Sequence, residues 1–282
     1  MKIRILSDIH LEWNDYTLTN PTDADTLILS GDIMLASPLH DYPYGSLPVW
    51  DDENEYGPNQ TLAMRFRRFL ETASRLFKYV IYVAGNHEFY YGKFHGGIDD
   101  LREECNHYGN IYYLENDIVS LDGIIFIGAT LWTDLNDYHQ LTEYIVKDCM
   151  SDYKVIKNDH CGYRKLLPRD TLMRHEKSLD FIKKELAYST NEKVIICTHH
   201  SPSFLSIDEK FAYEKEMNGA YCSKLDDVIT SNPHIKMWTH GHIHKHRNYF
   251  IGDTNIICNP RGYVSDKGAE YTEWDEFLTL TF

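Results

Sequence analysis

Positive charge is scarce in this 282-residue chain: 28 Lys and Arg face 43 Asp and Glu, a formal net charge of −15. That balance repels polyanions at long range and leaves few cations to displace counterions from a phosphate backbone, so general nucleic-acid binding is not expected. Long apolar runs are missing as well. No segment approaches the roughly 20 apolar residues that a membrane span requires. Met1-Lys2-Ile3-Arg4 opens directly onto a strand-like run, so neither a membrane helix nor a secretory leader is expected. No two of the six cysteines, Cys105, Cys149, Cys161, Cys197, Cys222 and Cys258, form a C-x-x-C pair. Buried free thiols in a reducing cytoplasm fit that pattern best. Internal repeats and low-complexity tracts are also absent, and 43% hydrophobic with 25% charged residues is the composition of an ordinary globular protein.

Periodicity supplies the elements. Residues 3–7 and 26–30 read as buried strands, each followed at once by a carboxylate. Residues 38–58, rich in Pro, Tyr, Asp and Glu without a period, read as an inserted acidic, aromatic loop. Leu62, Phe66, Phe69, Leu70, Ala73, Leu76 and Phe77 define one apolar helical face, with Arg65, Arg67, Arg68 and Lys78 as its solvated side. A strand over 79–84 is followed by a mobile stretch over 89–97 and a short helix around Leu101, Cys105 and Tyr108 closed by Gly109. Residues 111–114, 118–121 and 124–127 read as strands, the last two joined by the hairpin signal Asp122-Gly123. Residues 133–168 are ambiguous. Leu172, Leu179, Ile182 and Leu186 mark a helix ahead of a strand at 194–197, and a helix around 225–229 precedes a strand at 235–238. Strands at 249–251, 255–258 and 277–282 close the chain. The mixture implies an α/β fold of two packed sheets flanked by helices, in one domain over residues 1–282.

What the chain has in excess is histidine: fifteen residues, roughly twice ordinary usage. Five segments repeat one arrangement, a strand followed by metal-capable side chains: Asp8-Ile9-His10, Gly31-Asp32, Gly85-Asn86-His87-Glu88, Thr198-His199-His200-Ser201-Pro202 and Gly241-His242-Ile243-His244. Loops at strand ends are where a rigid scaffold converges distant ligands on one point. A lone D-x-H arises about once by chance in a chain of this length, whereas G-N-H-[DE] is far rarer, and the five in order are not a coincidence. Carboxylates, an amide and imidazoles make a hard-to-borderline donor set suited to manganese, iron, zinc or nickel. Two ions are the natural reading of such a set. His87, directly after Asn86, should face the substrate side of the site. Glu88 is either an orienting or a capping residue. Asn259-Pro260-Arg261-Gly262-Tyr263 offers Arg261 for a phosphate or for a loop-fixing ion pair. His200 is either substrate-facing or structural, His240 and His175 read as structural, and Phe89-Tyr90-Tyr91 with Trp132 could stack a base.

The ordered set resembles the calcineurin-like metallophosphoesterase superfamily, whose pattern is D-x-H, G-D, G-N-H-[DE], a strand ending in His, and G-H-x-H. Gly128-Ala129-Thr130-Leu131-Trp132-Thr133-Asp134, Met150-Ser151-Asp152-Tyr153 and the Asn259 to Tyr263 segment resemble its bacterial and phage-type branch. The resemblance implies a four-layer α/β/β/α sandwich. It also implies two divalent ions, one held by Asp8, His10, Asp32 and His244, the other by Asp32, Asn86, His199 and His242, with Asp32 bridging. Protein phosphatases of the superfamily usually carry G-D-x-x-D-R-G, which Gly31-Asp32-Ile33-Met34-Leu35-Ala36-Ser37 lacks, so phosphoproteins lose ground. A small phosphomonoester, phosphodiester or nucleotide is the implied substrate: two ions can share a hydroxide made at neutral pH, grip phosphoryl oxygens and stabilise an in-line displacement, with His87 either protonating the leaving oxygen or stabilising the phosphoryl group. A nuclease of the same superfamily and a non-catalytic metal-stabilised scaffold are the alternatives.

Overall fold

Apolar residues run along the short strands without clean alternation, as happens when both faces of a sheet are covered. The computed structural model describes residues 1–46, 57–190, 192–265, 268, 269 and 273–282. In it β1 (Lys2–Leu6), β2 (Thr26–Ser30), β3 (Tyr79–Val83) and β4 (Ile111–Tyr113) lie side by side as parallel neighbours. β5 (Asp117–Leu121) and β6 (Ile124–Ala129) form a hairpin whose turn residues Asp122 and Gly123 have φ of 49° and 79°. Positive φ at both positions is what this tight turn demands. β7 (Lys157–Asn158) and β8 (Arg164–Lys165) make a two-residue ribbon.

β9 (Lys193–Thr198), β10 (Ile235–His240), β11 (Arg247–Ile251) and β12 (Thr254–Cys258) join the hairpin in a sheet of order β11-β12-β10-β9-β6-β5. After a ribbon of β13 (Val264–Ser265) and β14 (Gly268–Ala269), β15 (Thr279–Thr281) returns antiparallel to β1, giving the first sheet the order β15-β1-β2-β3-β4.

The helices α1 (Ser37–Asp41), α2 (Pro58–Leu76) and α3 (Gly96–Asn106) cover one face of the first sheet, with Phe66, Phe69, Leu70, Leu101 and Cys105 packed on Leu27, Leu29, Val80 and Tyr82. α4 (Leu135–Tyr138) is a left-handed turn, with Asn136 and Asp137 near φ 59° and 57°. It leads through α5 (Gln140–Cys149) and α6 (Asp152–Val155) to α7 (Pro168–Tyr188). α8 (Lys215–Asn218) and α9 (Asp226–Thr230) follow, and Ile182, Leu186 and Ile229 from α7 and α9 pack on Ile127, Val194, Ile196 and Trp238. Between the sheets Ile3, Ile5, Ile28, Ile81 and Val83 meet Phe126, Ile195, Met237 and Ile257, all fully buried. Each such side chain contributes roughly 2 kcal/mol of burial. The result is an α/β/β/α sandwich of two mixed sheets.

Four expectations require correction. Part of the loop expected over 38–58 is helical: Pro38 sits in the first turn of α1 and Pro58 opens α2, while 47–56 lie outside the described residues. The stretch 89–97 is anchored, with Phe89 and Phe94 buried and Phe94 N donating to Lys157 O at 2.8 Å. The α3 helix ends at Asn106, three residues before Gly109. On α2, Arg67 is not on a solvated side. Its Nε and Nη2 grip Glu104 at 2.8–3.1 Å, and the two side chains are 13% and 3% exposed. Arg67→Ala should therefore destabilise the fold by ~3 kcal/mol, because it strands a buried carboxylate, whereas Arg67→Met with Glu104→Leu should recover most of that loss. Urea unfolding midpoints check both.

Candidate metal centre

Parallel strands present their C-terminal ends on one edge, and five of them converge here. β1 delivers Asp8 and His10, β2 Asp32, β3 Asn86 and His87, β9 His199, and β10 His242 and His244. Main-chain bonds fix the loops to each other: Asp8 N to Gly31 O at 2.9 Å, His10 N to Asp32 O at 3.0 Å, Gly241 N to His199 O at 2.9 Å. Side chains complete the stitching, with His87 N donating to Asp32 Oδ1 at 2.8 Å and His242 N to Asp8 Oδ1 at 2.9 Å. Glycine precedes Asp32 and Asn86 for steric reasons. Gly31 has φ +82°, and a Cβ on either Gly31 or Gly85 would collide with His199, in the second case also with Asp32.

The ligand atoms of Asp8, His10, Asp32 and His244 lie within 4.8 Å of one another, as do those of Asp32, His199 and His242. Asp32 is common to both groups. Asn86 Oδ1 sits 3.0 Å from His199 Nε2, which is itself 3.4 Å from Asp32 Oδ2. The seven residues expected as ligands are thus brought together in two adjoining clusters. His10 Nε2 and His244 Nε2 approach to 3.2 Å, and Asp8 Oδ2 and His242 Nε2 are buried without a hydrogen-bond partner. Orphaned lone pairs converging in this way suit a cation. Five of the seven residues, Asp8, His10, Asp32, His242 and His244, have φ between 50° and 68°. The left-handed region costs a non-glycine residue roughly 1–3 kcal/mol, a strain typical of functional sites.

Electrostatics match the geometry. Burial opposes the charge of Asp32, but His199, His87 and His10 outweigh it and hold the carboxyl well below its usual range. Burial likewise opposes protonation of His199, yet Asp32 beside it raises the imidazole to about 9. His87 is raised to about 8, its burial outweighed by Asp32 and Glu12. A cation entering these clusters takes over the role of those protons.

Glu12 is the residue that the sequence reading missed. Its Oε1 accepts from His10 Nδ1 at 3.0 Å and from His87 Nδ1 at 2.8 Å, which turns both Nε2 atoms toward the clusters. The signal was present as a continued alternation, Asp8-x-His10-x-Glu12. Glu88 is fully buried and accepts from Asp32 N, Ile33 N, Gly85 N and Tyr82 Oη at 2.7–3.0 Å, so it ties the second and third loops together. Burial and the charge of Asp32 push it up to about 7.

Other expected residues stand elsewhere. Arg261 is not directed at a phosphate: Nη1 and Nη2 donate to Ile9 O at 3.2 Å and Asp15 O at 3.1 Å, bracing the first loop. His200 is buried behind His242, its ring 5.0 Å from Trp132 and its Nδ1 donating to Thr130 O, and it does not line the cavity above the clusters. Phe89 and Trp132 belong to the core and Tyr91 points away, leaving Tyr90 stacked on His87 at 4.1 Å. His240 accepts from Ser206 and His175 donates to Leu131 O, both as structural residues. Asp32, Asn86, His87, His242 and His244 form the floor of a cavity of about 410 Å3.

A sandwich with these donor clusters at its strand ends is the arrangement of metallophosphoesterases. Residues 1–246 match the calcineurin-like phosphoesterase family, and the chain belongs to it. It is 27% identical over 302 residues to the uncharacterised protein L509 of Acanthamoeba polyphaga mimivirus, with 98% of each chain covered. Its fold is similar to the crystal structure of phosphopantetheinyl hydrolase from Mycobacterium tuberculosis, at a TM-score of 0.63 and 16% identity over 93% of this chain and 89% of that one.

Because Glu12 sets the tautomers of two inward-facing imidazoles, Glu12→Ala should weaken Mn2+ binding by about 10- to 100-fold. Glu12→Gln, which keeps an acceptor, should lose less. Calorimetric titration of the metal-free chain with MnCl2 measures both.

Proposed function

We propose that this protein is a metal-dependent phosphohydrolase acting on a small phosphoester. In this reading Asp8, His10, Asp32 and His244 hold one divalent cation, and Asp32, Asn86, His199 and His242 hold a second. The observation that carries it is the pair of donor clusters sharing Asp32 on the floor of an open cavity. Donors that are all oxygen or imidazole nitrogen favour manganese, with iron, zinc or nickel as further candidates. When bound, such ions supply Lewis acidity toward phosphoryl oxygens and an acidified water.

The chain's own residues supply the rest. His87 donates its Nδ1 proton to Glu12, so a second proton on Nε2 is presented to the cavity, 4.0 Å from Asp32 Oδ2. From there it can be passed to a departing ester oxygen. Tyr90, stacked on the ring, and Tyr263, whose Oη is 3.4 Å from Nε2, keep the imidazole in place. Six free cysteines support a cytoplasmic setting. The net charge of −15 favours small esters over polynucleotides, and the presence of His87 favours an enzyme over a binding scaffold.

Two outcomes test this. Elemental analysis should find close to two transition-metal ions per chain, and Asp32→Ala should lose both, since a shared carboxylate offsets the repulsion between them. His87→Ala should keep the metals yet lower kcat by about 100-fold on esters with poor leaving groups, and by much less on 4-nitrophenyl esters. A metal-replete chain that hydrolyses no phosphoester would point to the scaffold instead.

A further inference from the structure

Beyond its floor the cavity changes character. Its walls include Met150, Ile207, Phe211, Met217, Tyr221 and Tyr263, an apolar and aromatic surface. Tyr221 packs 4.9 Å from the His242 ring and Tyr263 4.8 Å from that of His244, so this surface begins directly beside the ligand clusters. The charged residues on the walls are Asp208, Glu214 and Lys245. Lys245 is, among the described residues, the one lysine or arginine that lines the cavity, and its Nζ lies 2.5 Å from Glu273. Asp208 has Lys210 at 3.9 Å, whereas Glu214 has no ion pair among the described residues. A phosphate bound away from the clusters would normally be met by an arginine fork or by several lysines. Here it would meet a neutralised lysine and an uncompensated carboxylate, in a chain of net charge −15.

We infer that the site selects esters whose only charged group is the reacting phosphoryl and whose remainder is uncharged and aromatic or apolar, about the size of a nucleoside, with Glu214 excluding any second phosphate. This rests on the phosphohydrolase reading. A volume of about 410 Å3 lies within the usual range of small-molecule sites. Aromatic walls gain affinity from a planar ring without requiring hydrogen bonds to it.

The test is a matched pair of substrates for the Mn2+-loaded full chain: thymidine 5′-(4-nitrophenyl phosphate) and the same compound carrying a 3′-phosphate. The scissile bond is identical, and nitrophenol release reads both. The uncharged nucleoside should be preferred by at least about tenfold in kcat/KM, chiefly through KM. Glu214→Gln should cut that preference severalfold. Raising NaCl from roughly 20 to 500 mM should do the same, because screening weakens repulsion between partly exposed charges. Phe211→Ala should lower kcat/KM for the nucleoside ester more than for methyl 4-nitrophenyl phosphate. Equal or better turnover of the 3′-phosphorylated compound, or a preference indifferent to both salt and Glu214→Gln, would overturn the inference alone. No turnover of any of these esters by a chain carrying two Mn2+ would overturn the hydrolase reading and the inference with it.

Discussion

Two carboxylates, Asp8 and Asp32, are fully buried beside each other, and much of the structure serves to make that tolerable. Unpaired, each would cost several kcal/mol to remove from water. Imidazoles surround them, and main-chain amides of His87 and His242 donate to them. The loops that bring those groups in are held in turn by Glu88, by Asn259, whose Nδ2 donates to Ile5 O, and by Arg261. The core under the site is shaped by the same requirement. Ser30 Oγ donates to Thr239 Oγ1 at 2.8 Å across the sheet interface, and Trp238 Nε1 donates to Thr198 Oγ1 at 2.9 Å, so the strand ends are tied by polar contacts where they leave the apolar layer.

Much of this was legible in the sequence because it is local. A strand that ends in a carboxylate or histidine is visible as an apolar run followed by a motif, and the Asp122-Gly123 hairpin is visible because positive φ restricts residue choice. The parts that were not legible depend on distant partners. Whether Arg261 meets a phosphate or the carbonyls of Ile9 and Asp15 depends on a fold that brings residues 246 to 252 positions apart into contact. His199 and His200 are equivalent in sequence, but in the bend that follows β9 one ring meets Asp32 and Asn86 while the other faces Trp132. Arg67 lies in a basic run, and only the approach of α3 converts it into half of a buried ion pair. Glu12 was hidden for another reason: a glutamate two residues after a histidine is commonplace, and its significance comes from His87, 75 residues later.

Net charge and local charge express the same selection at different ranges. At long range −15 lowers the concentration of polyanions near the surface, and within the cavity a neutralised Lys245 and a Glu214 with no ion pair among the described residues act on whatever enters. Near the floor cationic character comes from His87 and His199, both raised by Asp32 and directed at Glu12 and Asp32. The basic face expected on α2 does not alter this picture, since Arg65 is paired with Asp15 at 2.7 Å and Arg67 with Glu104.

The bonds that join β1 and β2 to the second sheet have a kinetic side. His242 N to Asp8 Oδ1 closes a loop of 234 residues and Ser30 Oγ to Thr239 Oγ1 one of 209, far longer than the closures of the hairpins. Contacts of that separation form after local ones, when the chain entropy they cost has been offset by packing. The second sheet can acquire its hairpins early and both layers their helices, but the donor clusters do not exist in any intermediate in which the sheets are apart. A half-folded chain exposes its aspartates and histidines singly, to water, and the competent arrangement comes into being in the same event that docks the two layers.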